Sequence, residues 1–111
     1  VTANSAHLKQ VFLNLVLNAI DAMPSGGTLT IRTMLNPTTV GIEFSDTGVG
    51  MSAETQARLF EPFFTTKPQG SGLGLSISYG IIKAHHGQIL VTSELGHGTT
   101  VTILLPLETF P

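Results

Sequence analysis

The sequence contains no cysteine among its 111 residues. Disulfides, zinc sites built on thiolates and cysteine nucleophiles are therefore excluded. The sequence also has no basic run, and its formal net charge is −2. It therefore lacks the basic surface that nucleic-acid binding requires. No apolar run approaches the about 20 residues that a membrane-spanning helix needs, and we expect no direct membrane contact.

Charged residues are scarce as well, at 11% of the chain, whereas hydrophobic residues make up 41%. This low charge predicts that part of the surface meets a partner or another domain. A length of 111 residues suits a single domain, 1–111, with one core. The chain begins almost inside its first predicted helix and opens without a signal peptide. We expect a cytoplasmic domain excised from a longer protein, whether or not that parent is anchored in a membrane.

Hydrophobic periodicity and turn residues predict elements in the order α-β-β-α-α-β-β. We expect helices at 5–23, 53–60 and about 73–84, and strands at 28–35, 40–45, 89–93 and 99–105. Alternation puts Leu29, Ile31, Thr33 and Leu35 on one face of the first strand, and Val40, Ile42 and Phe44 on one face of the second. Short turns such as Asn36-Pro37 favour antiparallel neighbours. The order predicts an α/β (α+β) two-layer sandwich, with a mixed, mostly antiparallel sheet and helices on one face.

The first predicted helix has an apolar face, which is expected to include Leu8, Phe12, Val16, Ala19 and Met23. At 100° per residue its polar side chains fall in one stripe about 80° wide. The members of this polar stripe are His7, Gln10, Asn14, Asn18 and Asp21. Val11 and Leu17 border the stripe on either side, and its middle has no Lys or Glu, which is atypical of a solvent-exposed face. We therefore predict that the polar stripe lines a cleft.

Asp46 follows the second predicted strand and precedes Gly48 by two residues. A carboxylate there can accept a hydrogen bond from the exocyclic amine of adenine, whereas guanine has a carbonyl at the equivalent place and would be rejected. The alternative is a turn-forming aspartate before a glycine, which the residue alone favours. Gly48 and Gly50 would let the backbone approach a planar base, with Met51 as an apolar contact.

Gly70, Gly72 and Gly74 precede the third predicted helix, whose N-terminus and bare amides can hold phosphate. The spacing matches neither a Walker loop nor a dinucleotide fingerprint. Asn18 is the best metal candidate, because Mg²⁺ prefers oxygen ligands and takes only one or two protein groups alongside phosphates. The alternative is an Asn with ordinary core hydrogen bonds. Lys67 is either a cation that reaches the terminal phosphates or a solvated lysine on a loop tip.

Several segments, in this order, resemble the motifs of bacterial sensor histidine kinases. Asn14 to Ala19, Asp46 to Gly50, Leu59 to Phe64 and Gly70 to Leu75 are similar to the N, first glycine, F and second glycine boxes. Gly96 to Thr100 resembles the closing glycine-threonine motif of the same family. The resemblance covers about residues 7–105, and it implies the Bergerat ATP-binding fold of the GHKL superfamily.

The resemblance implies ATP and Mg²⁺ as cofactors and a role for each matching residue. Asn18 is implied to hold magnesium and Asn14 to lie near the phosphates, which makes both catalytic, while Asp46 reads adenine. A lid over about residues 62–71 would be anchored to the third helix by its glycines. The residues implied to bind ATP are Asn14, Asn18, Asp21, Asp46, Gly48, Gly50, Met51, Phe60, Lys67, Gly70, Ser71, Gly72, Leu73, Gly74, Leu75, Thr99 and Thr100.

The implied function is the ATP-binding catalytic part of a two-component sensor histidine kinase. It would donate the γ-phosphoryl group of Mg·ATP to a histidine on a separate dimerisation domain, with a response regulator downstream. None of the chain's own histidines, which are His7, His85, His86 and His97, has the neighbourhood of a phospho-acceptor. By the same resemblance we expect an N-terminal strand that pairs with the sheet to be missing, which would leave an edge open.

Two other functions belong to different classes. The gyrase, MutL and chaperone relatives are ATP-driven conformational modules, in which a Glu four residues before the metal-binding Asn activates water. Asn14 occupies that position here, and an amide cannot act as a general base. The remaining possibility is a nucleotide-regulated partner-binding domain without phosphotransfer. A steady ATPase rate would favour the first of these, and absence of phosphotransfer would favour the second.

Overall fold

The computed structural model describes residues 5–61 and 74–107. Its elements are α1 (Ser5–Asp21), β1 (Leu29–Leu35), β2 (Thr39–Asp46), α2 (Ala53–Ala57), α3 (Gly74–Ala84), β3 (Gln88–Glu94) and β4 (Gly98–Pro106). The predicted order is confirmed, but α1 and α2 end earlier than expected. Each helix closes with a tighter turn, in which Met23 N donates to Ile20 O over 3.0 Å and Arg58 N donates to Thr55 O over 3.1 Å.

The four strands form one sheet in the order β1-β2-β4-β3, and all neighbours are antiparallel. The β1–β2 hairpin closes through a bond of 2.8 Å from Asn36 N to Thr39 O. Within the described residues the sheet is therefore wholly antiparallel rather than mixed. The β4 strand pairs on both sides, and its Ile103 and Leu105 are buried in the core.

The core joins α1 and α3 to one face of the sheet. Its buried members are Val11, Leu15, Phe44, Ile82, Ile103 and Leu105. Val11, predicted to lie at the margin of the polar stripe, is completely buried. Phe12 and Val16, which were expected on the buried face of α1, are only partly buried. The buried face is rotated because α1 packs against α3 as well as against the sheet.

The edge strand β1 is covered less well than its sequence pattern suggests. Ile31 and Leu35 share a face with their partners Phe44 and Val40 on β2, yet they remain 52% and 76% exposed. Only Leu29 at the start of β1 packs against the core cluster. Alternation predicted which residues share a face of β1. It did not predict that the core leaves Ile31 and Leu35 uncovered.

A helix long and apolar enough to cross a membrane is not found among the described residues.

Candidate functional site

The side chain of Asp46 joins the end of β2 to the start of β4. Its Oδ1 accepts hydrogen bonds from Gly48 N at 2.8 Å and from Thr99 N at 3.2 Å. The first bond is the turn-forming role that the sequence left open. Both bonds use the same oxygen, and within residues 5–61 and 74–107 no hydrogen bond reaches Oδ2. One carboxylate oxygen is thus held by the backbone while the other is left for a ligand.

The loop after β2 packs directly against the end of α1. Val49 N donates to Ala22 O over 2.9 Å, and a Cβ at Gly48 would overlap that same carbonyl. Glycine is required here because no side chain fits between the loop and the helix. This contact sets Asp46 beside α1, at the helix end nearer to Asn18 than to Asn14.

Glycines also bring the β3–β4 turn onto this loop. Gly50 and Gly98 both have positive φ, at 72° and 91°, and a Cβ at either would overlap a backbone carbonyl oxygen, that of Glu94 or of Asp46. Gly96 N completes the junction by donating to Val49 O over 2.8 Å. The contacts that these glycines permit are thus between backbones, whereas the expected contact of Gly48 and Gly50 with a base stays a prediction.

A small polar network fixes the same junction, and the sequence analysis did not assign it. Ser93 Oγ accepts from Met51 N at 2.8 Å, donates to Gly98 O at 3.1 Å and lies 2.8 Å from Thr99 Oγ1. From α2, Gln56 Nε2 donates to Met51 O at 3.2 Å and to Ser93 O at 3.1 Å. These bonds restrain the backbone around Thr99, whose amide donates to Asp46 Oδ1.

The two asparagines of α1 are half-buried. Asn14 faces α3, where its Nδ2 donates to Ser78 Oγ over 3.3 Å. The rest of the polar stripe is exposed, which applies to His7, Gln10 and Asp21. The stripe is therefore shielded from solvent only at its centre, and Asp21, expected to bind ATP, lies exposed at the last residue of α1.

These polar groups lie at two separate places along α1. Asp46 lies near Ala22 at one end, and Asn14 lies near α3 at the other, about 12 Å away along the helix axis at 1.5 Å per residue. The α3 helix begins at Gly74, one turn before Ser78, so its N-terminal amides lie at the Asn14 end. At one end the Asp46 carboxylate can accept a hydrogen bond from an amine, and at the other the N-terminus of α3 can hold an anion. This arrangement suits an elongated anion that carries a base.

Phe60 has a packing role. Its ring centroid lies 5.0 Å from that of Tyr79 on α3, and Lys83 Nζ lies 5.5 Å from the same Tyr79 ring. Arg58 forms an exposed ion pair with Glu61 at 3.1 Å. The chain between α2 and residue 61 is thus fastened to α3 by an aromatic contact.

The other predicted site residues divide into two groups. Leu75 packs against the core, and Thr100 Oγ1 lies 3.0 Å from Ser45 Oγ, so both have structural contacts. Five residues fall outside the described part of the chain, as does the predicted lid at 62–71; these are Lys67, Gly70, Ser71, Gly72 and Leu73.

Two shallow depressions border the loop after β2. One lies between α2 and the β3–β4 turn and includes Met51 and Leu95; the other lies at the α1–β1 connection and includes Pro24 and Gly48. Neither includes Asp46 or the asparagines of α1. We place the candidate site along α1, between Asp46 and the N-terminal end of α3, because its polar side chains lie there.

Comparison with known proteins identifies the family. Residues 3–109 match the family described as histidine kinase-, DNA gyrase B- and HSP90-like ATPase. The chain is 50% identical over 103 residues to sporulation kinase E of Bacillus subtilis strain 168, which covers 91% of this chain and 14% of that protein. It is 42% identical over 109 residues to the histidine-protein kinase AtoS of Escherichia coli K12, covering 97% of this chain and 18% of that protein.

Solved structures agree with this result. The mycobacterial sensor histidine kinase MprB superposes with a TM-score of 0.86 at 30% identity, covering 96% of this chain and 76% of that one. The nucleotide-free catalytic domain of histidine kinase ThkA gives 0.83 at 37% identity, covering 94% and 68%. The chain spans only a small part of the curated relatives' length, and 94% of it superposes on the ThkA catalytic domain. It belongs to the histidine kinase-, DNA gyrase B- and HSP90-like ATPases, as an ATP-binding catalytic domain of the histidine-kinase kind.

Proposed function

We propose that this domain binds Mg·ATP along α1, between Asp46 and the N-terminal end of α3, and donates the γ-phosphoryl group to a histidine on a separate dimerisation domain of its parent protein. A response regulator would receive the phosphoryl group next, and the domain would work in the cytoplasm. The observation that carries the proposal is the state of Asp46, whose Oδ1 is held by two backbone amides while Oδ2 is left for a ligand.

Asp46 would select adenine through Oδ2. A carboxylate offers only acceptor atoms, so it complements the exocyclic amine of adenine and opposes the carbonyl of guanine. Because Gly48 N and Thr99 N already fix Oδ1, the carboxylate cannot turn away to relieve a mismatch. Discrimination against guanine nucleotides would follow from this fixed orientation.

The asparagines fit a magnesium ion that is bound mainly through phosphate. No group of three or more His, Asp or Glu residues that could form a protein cage occurs in the described parts of the chain. Magnesium typically takes one or two protein oxygens with phosphates and water, and the amide oxygens of Asn18 and Asn14 could supply these. When bound, the ion would neutralise negative charge on the β- and γ-phosphates.

The chain's own residues would position the nucleotide rather than react with it. A neutral imidazole nitrogen of the acceptor would form a bond to the γ-phosphorus while the bond from that phosphorus to the β,γ-bridging oxygen breaks. ADP leaves with the bond's electron pair. Asp46 and the N-terminus of α3 would hold the two ends of ATP, so that the γ-phosphate faces the incoming histidine.

The geometry argues against efficient water activation by this chain. Asn14 occupies the position of the water-activating Glu of the related ATPases, and its amide is engaged with Ser78. An amide has no basic lone pair that could take a proton at neutral pH. An ATP-gated conformational module, the alternative from the sequence, would therefore need a base from elsewhere.

The chain's histidines have positions that do not suit an acceptor. His85 Nδ1 lies 2.8 Å from Ile81 O, and His86 has a φ of 62° at the end of α3. His97 lies in the β3–β4 turn, and His7 is exposed on the first turns of α1. We expect the acceptor on another domain.

The proposal predicts labelling of a supplied histidine domain and not of this chain. The purified domain, mixed with ATP labelled at the γ-phosphate and Mg²⁺, should stay unlabelled, whereas the matching histidine-bearing helical hairpin should become labelled when it is added. Acid-labile phosphate on the isolated chain would contradict the proposal. A steady release of inorganic phosphate without labelling of the hairpin would favour the conformational module, and nucleotide binding with neither outcome would favour a regulatory binding domain.

Asn18→Ala should remove the magnesium dependence of ATP binding more than it weakens binding without magnesium, because it deletes one of the few oxygen ligands. We expect the affinity gained on adding Mg²⁺ to fall by about tenfold, equivalent to about 1.4 kcal/mol, in calorimetric titrations with and without EDTA. Gln10→Ala, an exposed position of the same stripe, is the matched control. Equal magnesium dependence in Asn18→Ala and wild type would rule out the assignment.

A further inference from the structure

Ser78 is the only completely buried polar side chain within residues 5–61 and 74–107, with 0% of its surface exposed. A buried hydroxyl is costly unless it is hydrogen-bonded. It lies on the second turn of α3 and faces α1, where it accepts from Asn14 Nδ2 over 3.3 Å. The bond to Asn14 satisfies this hydroxyl and at the same time restrains the side chain of Asn14.

The bond has a consequence for the orientation of Asn14. The side-chain amide is planar, with a donor nitrogen at one corner and an acceptor oxygen at the other. With Nδ2 held by Ser78, Oδ1 is directed away from Ser78. A hydroxyl on a helix can give its single proton to a backbone carbonyl one turn earlier and still accept from Nδ2, which makes it well suited to hold this orientation.

We propose that Ser78 is a positioning residue that presents the oxygen of Asn14, rather than its nitrogen, to the phosphate and metal end of the candidate site. This inference rests on the proposed function. Asn14 and Asn18 lie one helical turn apart on the same side of α1, so two amide oxygens would then face the same region. Loss of Ser78 would remove the hydrogen bond that holds Nδ2 on this side and would weaken the preference for an oxygen at a site that needs acceptors for a cation.

The test is a double-mutant cycle of Ser78→Ala and Asn14→Ala, read by calorimetry with ATP in Mg²⁺, ATP in EDTA, and adenosine. Ser78→Ala should reduce the affinity gained from Mg²⁺ by about fivefold to tenfold and leave adenosine affinity within about twofold. In the Asn14→Ala background, Ser78→Ala should alter the affinity gained from Mg²⁺ by less than about twofold. The reason is that the effects of substitutions at interacting residues do not add.

Two further variants keep the test decisive. Ser78→Thr retains the hydroxyl and should restore most of the magnesium-dependent gain, whereas Ser78→Cys keeps the size but is a poor acceptor and should behave like Ser78→Ala. Thermal melts show that each variant is folded. Suppose that wild type shows magnesium-dependent binding and that Ser78→Ala causes an equal loss in both backgrounds. This result would refute the role of Ser78 but not the proposed function. Wild type without magnesium-dependent ATP binding would refute the proposed function, and the role of Ser78 with it.

Discussion

Asp46→Asn should lower the affinity for ATP and ADP by about 100-fold or more while leaving the fold intact. The asparagine oxygen can still accept from Gly48 N and Thr99 N, the two bonds that Oδ1 makes now. Its amide nitrogen would then replace Oδ2 and set one donor against the amine of adenine. Loss of a hydrogen bond to a charged group and an unpaired donor together cost about 3 kcal/mol, which calorimetry with ADP would measure.

Glu43→Gln is the matched control for Asp46→Asn. Glu43 lies on the same strand but points to the opposite face of the sheet from Phe44, where its carboxylate is 3.7 Å from Arg32. The control removes the same charge from β2 without touching the candidate site, so its ADP affinity should match wild type. Unchanged ADP affinity in Asp46→Asn, or an equal loss in both variants, would show that Asp46 does not read the base.

Gly98→Ala should unfold much of the site. The φ of Gly98 is 91°, and a Cβ there would overlap the carbonyl oxygen of Asp46 and lie 3.2 Å from Thr47 Cα. Backbone strain of about 1–2 kcal/mol adds to a steric overlap that can be relieved only by separating β4 from the end of β2. We expect a loss of about 3 kcal/mol or more in the free energy of unfolding, measured by urea denaturation, and no detectable nucleotide binding.

Gly96→Ala separates the effect of backbone strain from that of steric overlap. Gly96 also has a positive φ, at 80°, but a Cβ there meets nothing within 4 Å. It should cost only the backbone strain of about 1 kcal/mol and keep nucleotide affinity close to wild type. If Gly98→Ala were no more damaging than Gly96→Ala, the close approach of the turn to Asp46 would not be what holds the site together.

Hydrophobic periodicity predicted the order of elements and most of their bounds because most of the elements are amphipathic. Alternation in β2 predicted the face shared by Val40, Ile42 and Phe44. The same rule failed to predict the exposure of Ile31 and Leu35, since alternation reports which residues share a face and not whether another layer covers it. The buried side of α1 was also misjudged, because a wheel drawn from one helix does not include its neighbour α3.

The motif residues of the site could be located from sequence, but the residues that support them could not. Gln56, Ser93 and Ser78 act through contacts with residues 5–64 positions away along the chain, and no local pattern marks such partners. A glutamine in a first helical turn or a serine on an apolar helix is ordinary by itself. What identifies these residues is the backbone that folding brings to them.

The central claim is that a nucleotide lies along α1, with its base at Asp46 and its phosphates toward α3. A titration of the ¹⁵N-labelled domain with a non-hydrolysable Mg·ATP analogue, followed by amide NMR, tests it most directly. The account predicts the largest shifts at the backbone amides of Gly48 and Thr99 and at the side-chain amides of Asn14 and Asn18, with no such shifts from a GTP analogue. Shifts confined to the surface depressions around Pro24 and Leu95, or equal shifts from both nucleotides, would contradict it.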